Sequence, residues 1–328
     1  MHQPWIDGHL DLACIAVEGR PILGRCEDPS TGCISIPDLL ESPFRVMFGT
    51  IFTAPGTEGG EITECEYRDT KHAFEVGVRQ LEIYQRLEAD GQLAIQHDRL
   101  ELPEADDPLG VYLLMEGADP IQGPENVAWW RSRGLRLVGL TWSRGTRYAG
   151  GNSCREGLSI EGRELVAALD EADIAHDASH CSDAAVEDLL ACARGRVVAT
   201  HSNSRSIMGG DNQRHLHDDH AREILQRDGV IGLNLFGAFL AGNRRATIAD
   251  CVDHVLHFCE LAGNRRQVAL GSDYDGGFTP KELPEGLEHP RDIGKLLDAL
   301  AASGFSEEDL AGFAFGNWLR CFGEPSAP

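Results

Sequence analysis

Asp7-Gly8-His9-Leu10-Asp11 closes the short apolar run Pro4-Trp5-Ile6 near the start of the chain. Side chains alternate along a strand with period two. His9 and Asp11 are therefore expected on one face of a first strand, where both reach the same point in space. Two ligand-type side chains at the C-terminal end of a first strand are a common opening of a metal-binding barrel.

Working outward, short Val-, Ile- and Leu-rich runs alternate with amphipathic stretches. The expected strands are Trp5–Leu12, Val46–Thr53, Val111–Met115, Leu135–Thr141, Ile174–Ala178, Val197–His201, Val230–Phe236 and Val268–Ser272. The clearest helical patterns are Tyr67–Ala89, Ile160–Glu171, Asp183–Ala193, Asp218–Arg227, Ile248–Leu261 and Pro290–Ala301. Arg20–Leu40, Asp106–Pro108 and Thr279–Pro290 read as loops. Apolar runs flanked by helices on both sides suit a buried parallel sheet. Eight such units predict an α/β fold, a (β/α)₈ TIM-type barrel forming a single domain over residues 1–328. An open doubly wound sheet is the competing fold, but no Gly-rich phosphate turn follows an early strand.

With 328 residues, 42% of them hydrophobic, the chain has ample material for one large core. A formal net charge of −24 disfavours nucleic acid and anionic membrane surfaces as partners. No run approaches the ~20 apolar residues of a membrane span, and no secretory signal precedes the first strand, so a cytoplasmic location is expected. The ten cysteines are scattered without Cys-x-x-Cys pairs, and reduced buried thiols are the expected state.

In a barrel of this kind the active site lies at the C-terminal strand ends. Read in order, the first strand gives His9 and Asp11, the third Glu116, the fifth His180, the sixth His201 and the eighth Asp273. Imidazole and carboxylate together suit zinc or a similar first-row divalent ion. A single histidine at a strand end is more often a hydrogen-bonded structural residue. The ordered set is what points to a metal site. His215, His217 and His220 lie at a helix start, and His254 and His257 inside a helix, where structural roles suffice.

The chain resembles the renal (membrane) dipeptidase family of metallopeptidases. The resemblance is carried by Ile6-Asp-Gly-His-Leu-Asp-Leu, Met115-Glu-Gly-Ala-Asp-Pro, His176-Asp-Ala-Ser-His, Thr200-His-Ser-Asn-Ser-Arg, Asp211-Asn-Gln-Arg-His-Leu, Gly271-Ser-Asp-Tyr-Asp-Gly and Gly316-Asn-Trp-Leu-Arg, in the family's order. It implies two zinc ions (Zn2+) per chain, with His9 and Asp11 on one, His180 and His201 on the other, and Glu116 bridging both. It also implies Asp273 as the acid/base group, Arg214 as the residue holding the substrate carboxylate, and a homodimer. The chemistry this implies is attack on a dipeptide amide by a hydroxide bridging two zinc ions ~3.5–4 Å apart. A guanidinium suits a free C-terminal carboxylate, because it can offer two parallel hydrogen bonds.

The fourth strand end departs from the family. Trp142 stands where the family usually has His, and Gly145 where it usually has Asn. Trp has one N–H donor and no charge, so it does not replace an imidazolium. Trp142 and Tyr148 are candidate substrate-binding residues, and Arg144, Arg147 and Tyr148 are candidate substitute donors. This leaves a dipeptidase, a related amidohydrolase acting on another small amide or N-acyl amino acid, and a non-catalytic metal-binding protein as the readings to separate.

Overall fold

In the computed structural model, which describes residues 3–28, 30–57 and 59–323, all eight apolar runs form strands. They are β1 (Trp5–Leu10), β2 (Phe44–Phe52), β3 (Leu109–Glu116), β4 (Leu135–Gly139), β5 (Ala175–Asp177), β6 (Val197–Val198), β7 (Ile231–Leu233) and β8 (Val268–Leu270). Strands β1 to β6 pair in sequence order, every pair parallel. A bridge between Ala199 and Ile231 joins β6 to β7, and β7 pairs with β8. The ring closes where Asp273 N donates to the His9 carbonyl at 3.2 Å and Ser272 N to Asp7 Oδ1 at 2.8 Å. This is the TIM-type barrel expected from the sequence, with an extra strand, Leu93–Ile95, on the start of β3.

Several strands are shorter than their apolar runs, because the residues at the C-terminal mouth leave the ladder. The first run ends at Leu10, and Leu12–Val17 is a short helix. The Arg20–Leu40 stretch is not all loop. It ends in helix Ile36–Glu41, whose preceding Ser35 accepts from Asp38 N through its side chain. The long helix starts at Thr70 rather than Tyr67, because Asp69 caps it by accepting from His72 N. Ile160–Glu171 forms as expected; the helices at Asp183, Asp218 and Ile248 differ by one residue at their ends, and the one expected over Pro290–Ala301 opens as a 3₁₀ turn, Pro290–Asp292, before the α-helix Gly294–Ala302.

Ile6, Val46, Phe48, Leu114, Leu137 and Val198 fill the barrel interior. Helix Asn317–Phe322 plugs its lower end: the Trp318 ring lies 4.9 Å from Phe48, and Trp318 Nε1 donates to the Leu270 carbonyl at 2.8 Å. Gly8 makes this packing possible, since a Cβ there would sit 2.6 Å from Trp318 Cζ2. A second apolar layer lies between strands and surrounding helices.

One expectation is overturned. Cys14 and Cys65 form a disulfide, tying the helix after Asp11 to the Glu66–Tyr67 segment. The other eight cysteines are free. Among the described residues, no helix is long and apolar enough to cross a membrane.

Candidate active site

His9 and Asp11 converge at the mouth, though not by simple alternation. Asp7 pairs with Met47 and Leu10 with Gly49, so β1 carries one extra residue at its end. Ile6 faces the interior, and this irregularity turns His9 toward the mouth. Asp11 has left the strand and stands at the start of the Leu12–Val17 helix, with its Oδ1 accepting from Thr50 Oγ1.

Glu116, the last residue of β3, sits between two ligand sets. Its Oε2 lies 3.4 Å from His9 Nε2, and His9 Nε2 lies 3.7 Å from Asp11 Oδ2. Its Oε1 lies 3.2 Å from His180 Nε2 and 3.6 Å from His201 Nε2. The outer nitrogens fix both tautomers. His180 Nδ1 donates to Asn152 Oδ1 at 2.9 Å. Thr200 Oγ1 donates to Asp177, so it accepts from His201 Nδ1 at 2.8 Å. Both Nε2 atoms thus present lone pairs to Glu116 Oε1, which is buried and has no hydrogen-bond donor among the described residues. Acceptors facing acceptors are reconciled by a cation between them. The spacings fit, because ligands bound at about 2.0–2.2 Å around a tetrahedral ion stand about 3.3 Å apart. The residues therefore fit a metal centre. Two overlapping groups can hold an ion: His9, Glu116 and His201, and His9, Asp11 and Asp273.

The titration directions follow from burial and charge. Burial, with the nearby Arg214 guanidinium and His9, holds His180 and His201 far below the usual histidine range, so both are neutral. Burial lowers His9 too, but the Glu116 and Asp11 carboxylates outweigh it. Burial raises Glu116, and His9 partly offsets the rise. Asp273 is pushed up to about 7, mainly by burial, with His9 opposing and Asp11 and Glu116 adding to it. A bound divalent cation shifts this balance toward the ionised carboxylates.

Backbone strain marks the same place. His180 and Asp273 adopt φ of 63° and 62°. Such left-handed conformations cost non-glycine residues about 1–3 kcal/mol each and cluster at functional sites. Asn234 Nδ2 donates to Asp273 Oδ2 at 2.8 Å and holds that carboxylate in place.

A cavity of about 760 Å³ opens above these groups, lined by Asp11, Glu116, His180, His201 and Asp273. Phe236, Phe239 and Phe278 form one wall, with Phe236 stacked on Phe278 at 4.5 Å. Trp142 and Phe52 lie on the other side, the Trp142 ring 6.0 Å from His180. Arg144 also lines the cavity, but its guanidinium is paired with Glu66.

Arg214 is buried beside this cavity. Its Nη2 donates to the His201 carbonyl at 2.7 Å, Nη1 to Ser202 Oγ at 3.4 Å, and its face covers Phe239 at 5.1 Å. Nε has no partner among the described residues. Tyr148 is a correction. It is 1% exposed and its hydroxyl donates to the Ile121 carbonyl, so it supports the fourth-strand loop and lines no part of the cavity. Arg147 turns away with it, donating to that same carbonyl at 2.7 Å. Asn152, Thr200, Asp177 and Asn234 were not singled out from sequence. Only the adjacency of Thr200 to His201 was a local signal. His254 and His257 are structural as expected: His254 accepts from Ser204 N at 3.0 Å, and His257 pairs with Asp218 at 2.9 Å.

A sequence model of the membrane dipeptidase family, peptidase family M19, matches residues 1–327. An uncharacterized dipeptidase of Schizosaccharomyces pombe is 24% identical over 97% of this chain and 80% of its own. A metallopeptidase from Rhodobacter sphaeroides, solved with a phosphinate mimic of L-Ala-D-Ala, superposes with a TM-score of 0.85 at 24% identity, covering 98% of this chain and 99% of that one. The crystal structure of a dipeptidase of family M19 superposes at 0.83 and 25% identity, covering 98% and 99%. The match over nearly the whole length shows that this chain belongs to the membrane dipeptidase family of metallopeptidases.

Proposed function

We propose that this chain is a zinc-dependent dipeptidase hydrolysing the amide bond of dipeptides with a free C-terminal carboxylate. The observation that carries the reading is Glu116, whose two oxygens face His9 on one side and His180 with His201 on the other. His9 and Asp11 would hold one ion, His180 and His201 a second, with Glu116 shared between them. When bound, two such ions supply Lewis acidity toward a carbonyl and lower the pKa of water toward ~7.

The chain's own residues do the rest. Asp273, poised near neutrality, takes the proton of the attacking water and delivers it to the leaving amine nitrogen. Asn234 holds the carboxylate that makes this transfer. Arg214 draws the substrate carboxylate, with its unpartnered Nε as the available donor. The Phe236, Phe239 and Phe278 wall takes an apolar side chain of the substrate.

Zinc is the ion of choice for this mixture of imidazole and carboxylate ligands. A homodimer belongs to the same reading, being the commonest assembly of such chains. The Cys14–Cys65 bond weighs against the cytoplasmic location expected from sequence, because cytosolic thiol pools keep such pairs reduced.

Trp142 on the cavity wall favours one alternative, a related amidohydrolase acting on N-acyl amino acids or other small amides. The test is a panel of L,L- and L,D-dipeptides beside N-acyl amino acids, run on metal-loaded protein with metal content measured. Turnover of dipeptides that Asp273→Asn abolishes, with two ions still bound per chain, is the expected result. Turnover of N-acyl amino acids alone selects the alternative, and no turnover with full metal loading overturns both.

A further inference from the structure

The opposite end of the barrel holds a second cavity, of about 250 Å³, that the reaction does not use. It lies at the N-terminal ends of β4, β5 and β6, and Tyr112, Arg136, Arg194 and Arg196 help to line it. Arg136 is there because of a β-bulge. Leu113 pairs with Leu135 and Leu114 with Leu137, which leaves Arg136 as the extra residue of β4. A bulge re-aims a side chain, and this one brings a guanidinium that is only 1% exposed to the cavity wall.

The guanidinium is incompletely satisfied. Nη2 donates to Asp98 Oδ1 at 2.9 Å, whereas Nε and Nη1 are buried and have no acceptor among the described residues. Buried guanidinium N–H groups without acceptors are costly. The rim carboxylate Asp170 is already committed, accepting from His176 Nε2 at 2.7 Å, Arg194 N at 2.9 Å and Gly195 N at 2.8 Å. Asp98 is 88% exposed and shares its Oδ1 with Arg131 at 3.6 Å, so it is a loosely held partner. The two-pronged edges of a guanidinium pair Nη2 with Nε or with Nη1, and Nη2 has one N–H on each edge, so the edge that Asp98 does not use is open to a forked acceptor, with the Asp98 carboxylate as a like charge beside it. Glu171 and Asp173 on the same rim limit the occupant to a small anion of low charge.

We propose that this cavity is a binding site for a small oxyanion, with Arg136 as its anchor and the Asp98 carboxylate as the neighbouring charge that weakens the anion's hold. Free phosphate and a short carboxylate share this chemistry. The test is calorimetric titration of the metal-loaded chain with inorganic phosphate, and separately with acetate, for the parent, Arg136→Lys and Asp98→Asn. Lysine keeps the charge and loses the fork. The expected result is binding weakened at least tenfold in Arg136→Lys and tightened several-fold in Asp98→Asn, with dipeptide turnover unchanged in both. Phosphate held at the catalytic metals is insensitive to either substitution, which separates the two sites. The stronger of the two probes identifies the source. Equal affinities in parent and Asp98→Asn overturn the proposal, and this arm decides even where Arg136→Lys does not fold.

Discussion

Asn234 tests the proton-transfer role of Asp273 without replacing a candidate metal ligand. The Asp273 carboxyl is pushed up to about 7, chiefly by burial. Its bond from Asn234 Nδ2, at 2.8 Å, works against that rise, because a donor to a carboxylate favours the ionised form. A hydrogen bond to a charged group contributes about 1.5–3 kcal/mol, and about 1.4 kcal/mol corresponds to one pKa unit. Asn234→Leu therefore raises the carboxyl by about one to two units. Asp273 must be ionised to accept the water proton, so the acid limb of kcat/KM moves to higher pH by the same amount. Bound metal favours the ionised form and places the parent's limb below pH ~7; on the acid side of that limb the ionised fraction in the variant falls by about ten- to a hundred-fold, a loss that shrinks away at higher pH. Asn234 Oδ1 also accepts from Phe236 N at 2.7 Å, so a pH-independent loss accompanies Leu. Asn234→Asp keeps an acceptor for Phe236 and sets a like charge against Asp273, which raises its pKa further. The predicted order of acid limbs is parent, then Leu, then Asp. The assay is steady-state dipeptide hydrolysis across pH with excess metal and measured metal content. Both variants losing rate by one constant factor at every pH would refute the reasoning.

The remaining predictions concern the wall, the plug and the tether. Trp142→His supplies an imidazole donor that can carry charge beside His180, and since one oxyanion donor contributes about 2.7–4 kcal/mol, dipeptide kcat is expected to rise by about two to three orders of magnitude. A change in KM alone makes Trp142 a wall residue and no more. Gly8→Ala forces a methyl to within 2.6 Å of Trp318 Cζ2, which Leu270 pins, and overpacking of this kind costs about 1–3 kcal/mol. Thermal unfolding reads it, and an unchanged Tm would show that the plug can shift. The Cys14–Cys65 bond spans 51 residues, which in the chain-entropy account stabilises by about 4 kcal/mol. Dithiothreitol should lower the Tm of the parent and leave that of Cys65→Ala unchanged.

What the sequence made legible and what it concealed divide along the range of the forces involved. Each strand is a local apolar run, and each candidate ligand sits at the end of one, so the barrel and the set His9, Asp11, Glu116, His180, His201 could be read residue by residue. How those ligands converge could not. Period-two alternation placed His9 and Asp11 on one face, but a register irregularity in β1 and a helix start bring them together. His180 and Asp273 reach the mouth through left-handed backbone, which is uncommon for any residue with a side chain and leaves no periodic mark in the sequence. Tyr148 was misjudged for a related reason. Gly145, at φ 80°, reverses the loop after Trp142, and counting along an extended chain cannot foresee where the next side chains point. The partners that settle the chemistry, Asn152, Asp177 and Asn234, come from other strands and loops, and so does Cys65. Asn152 and Cys65 lie in polar loops and Asp177 and Asn234 inside apolar runs, and only closure of the barrel gives each its neighbour. The bulge at Arg136 is the same phenomenon at the other end. Residues fixed by hydrophobic period are visible in sequence. Residues fixed by a break in that period are where this fold keeps both its proposed catalytic groups and its proposed second site.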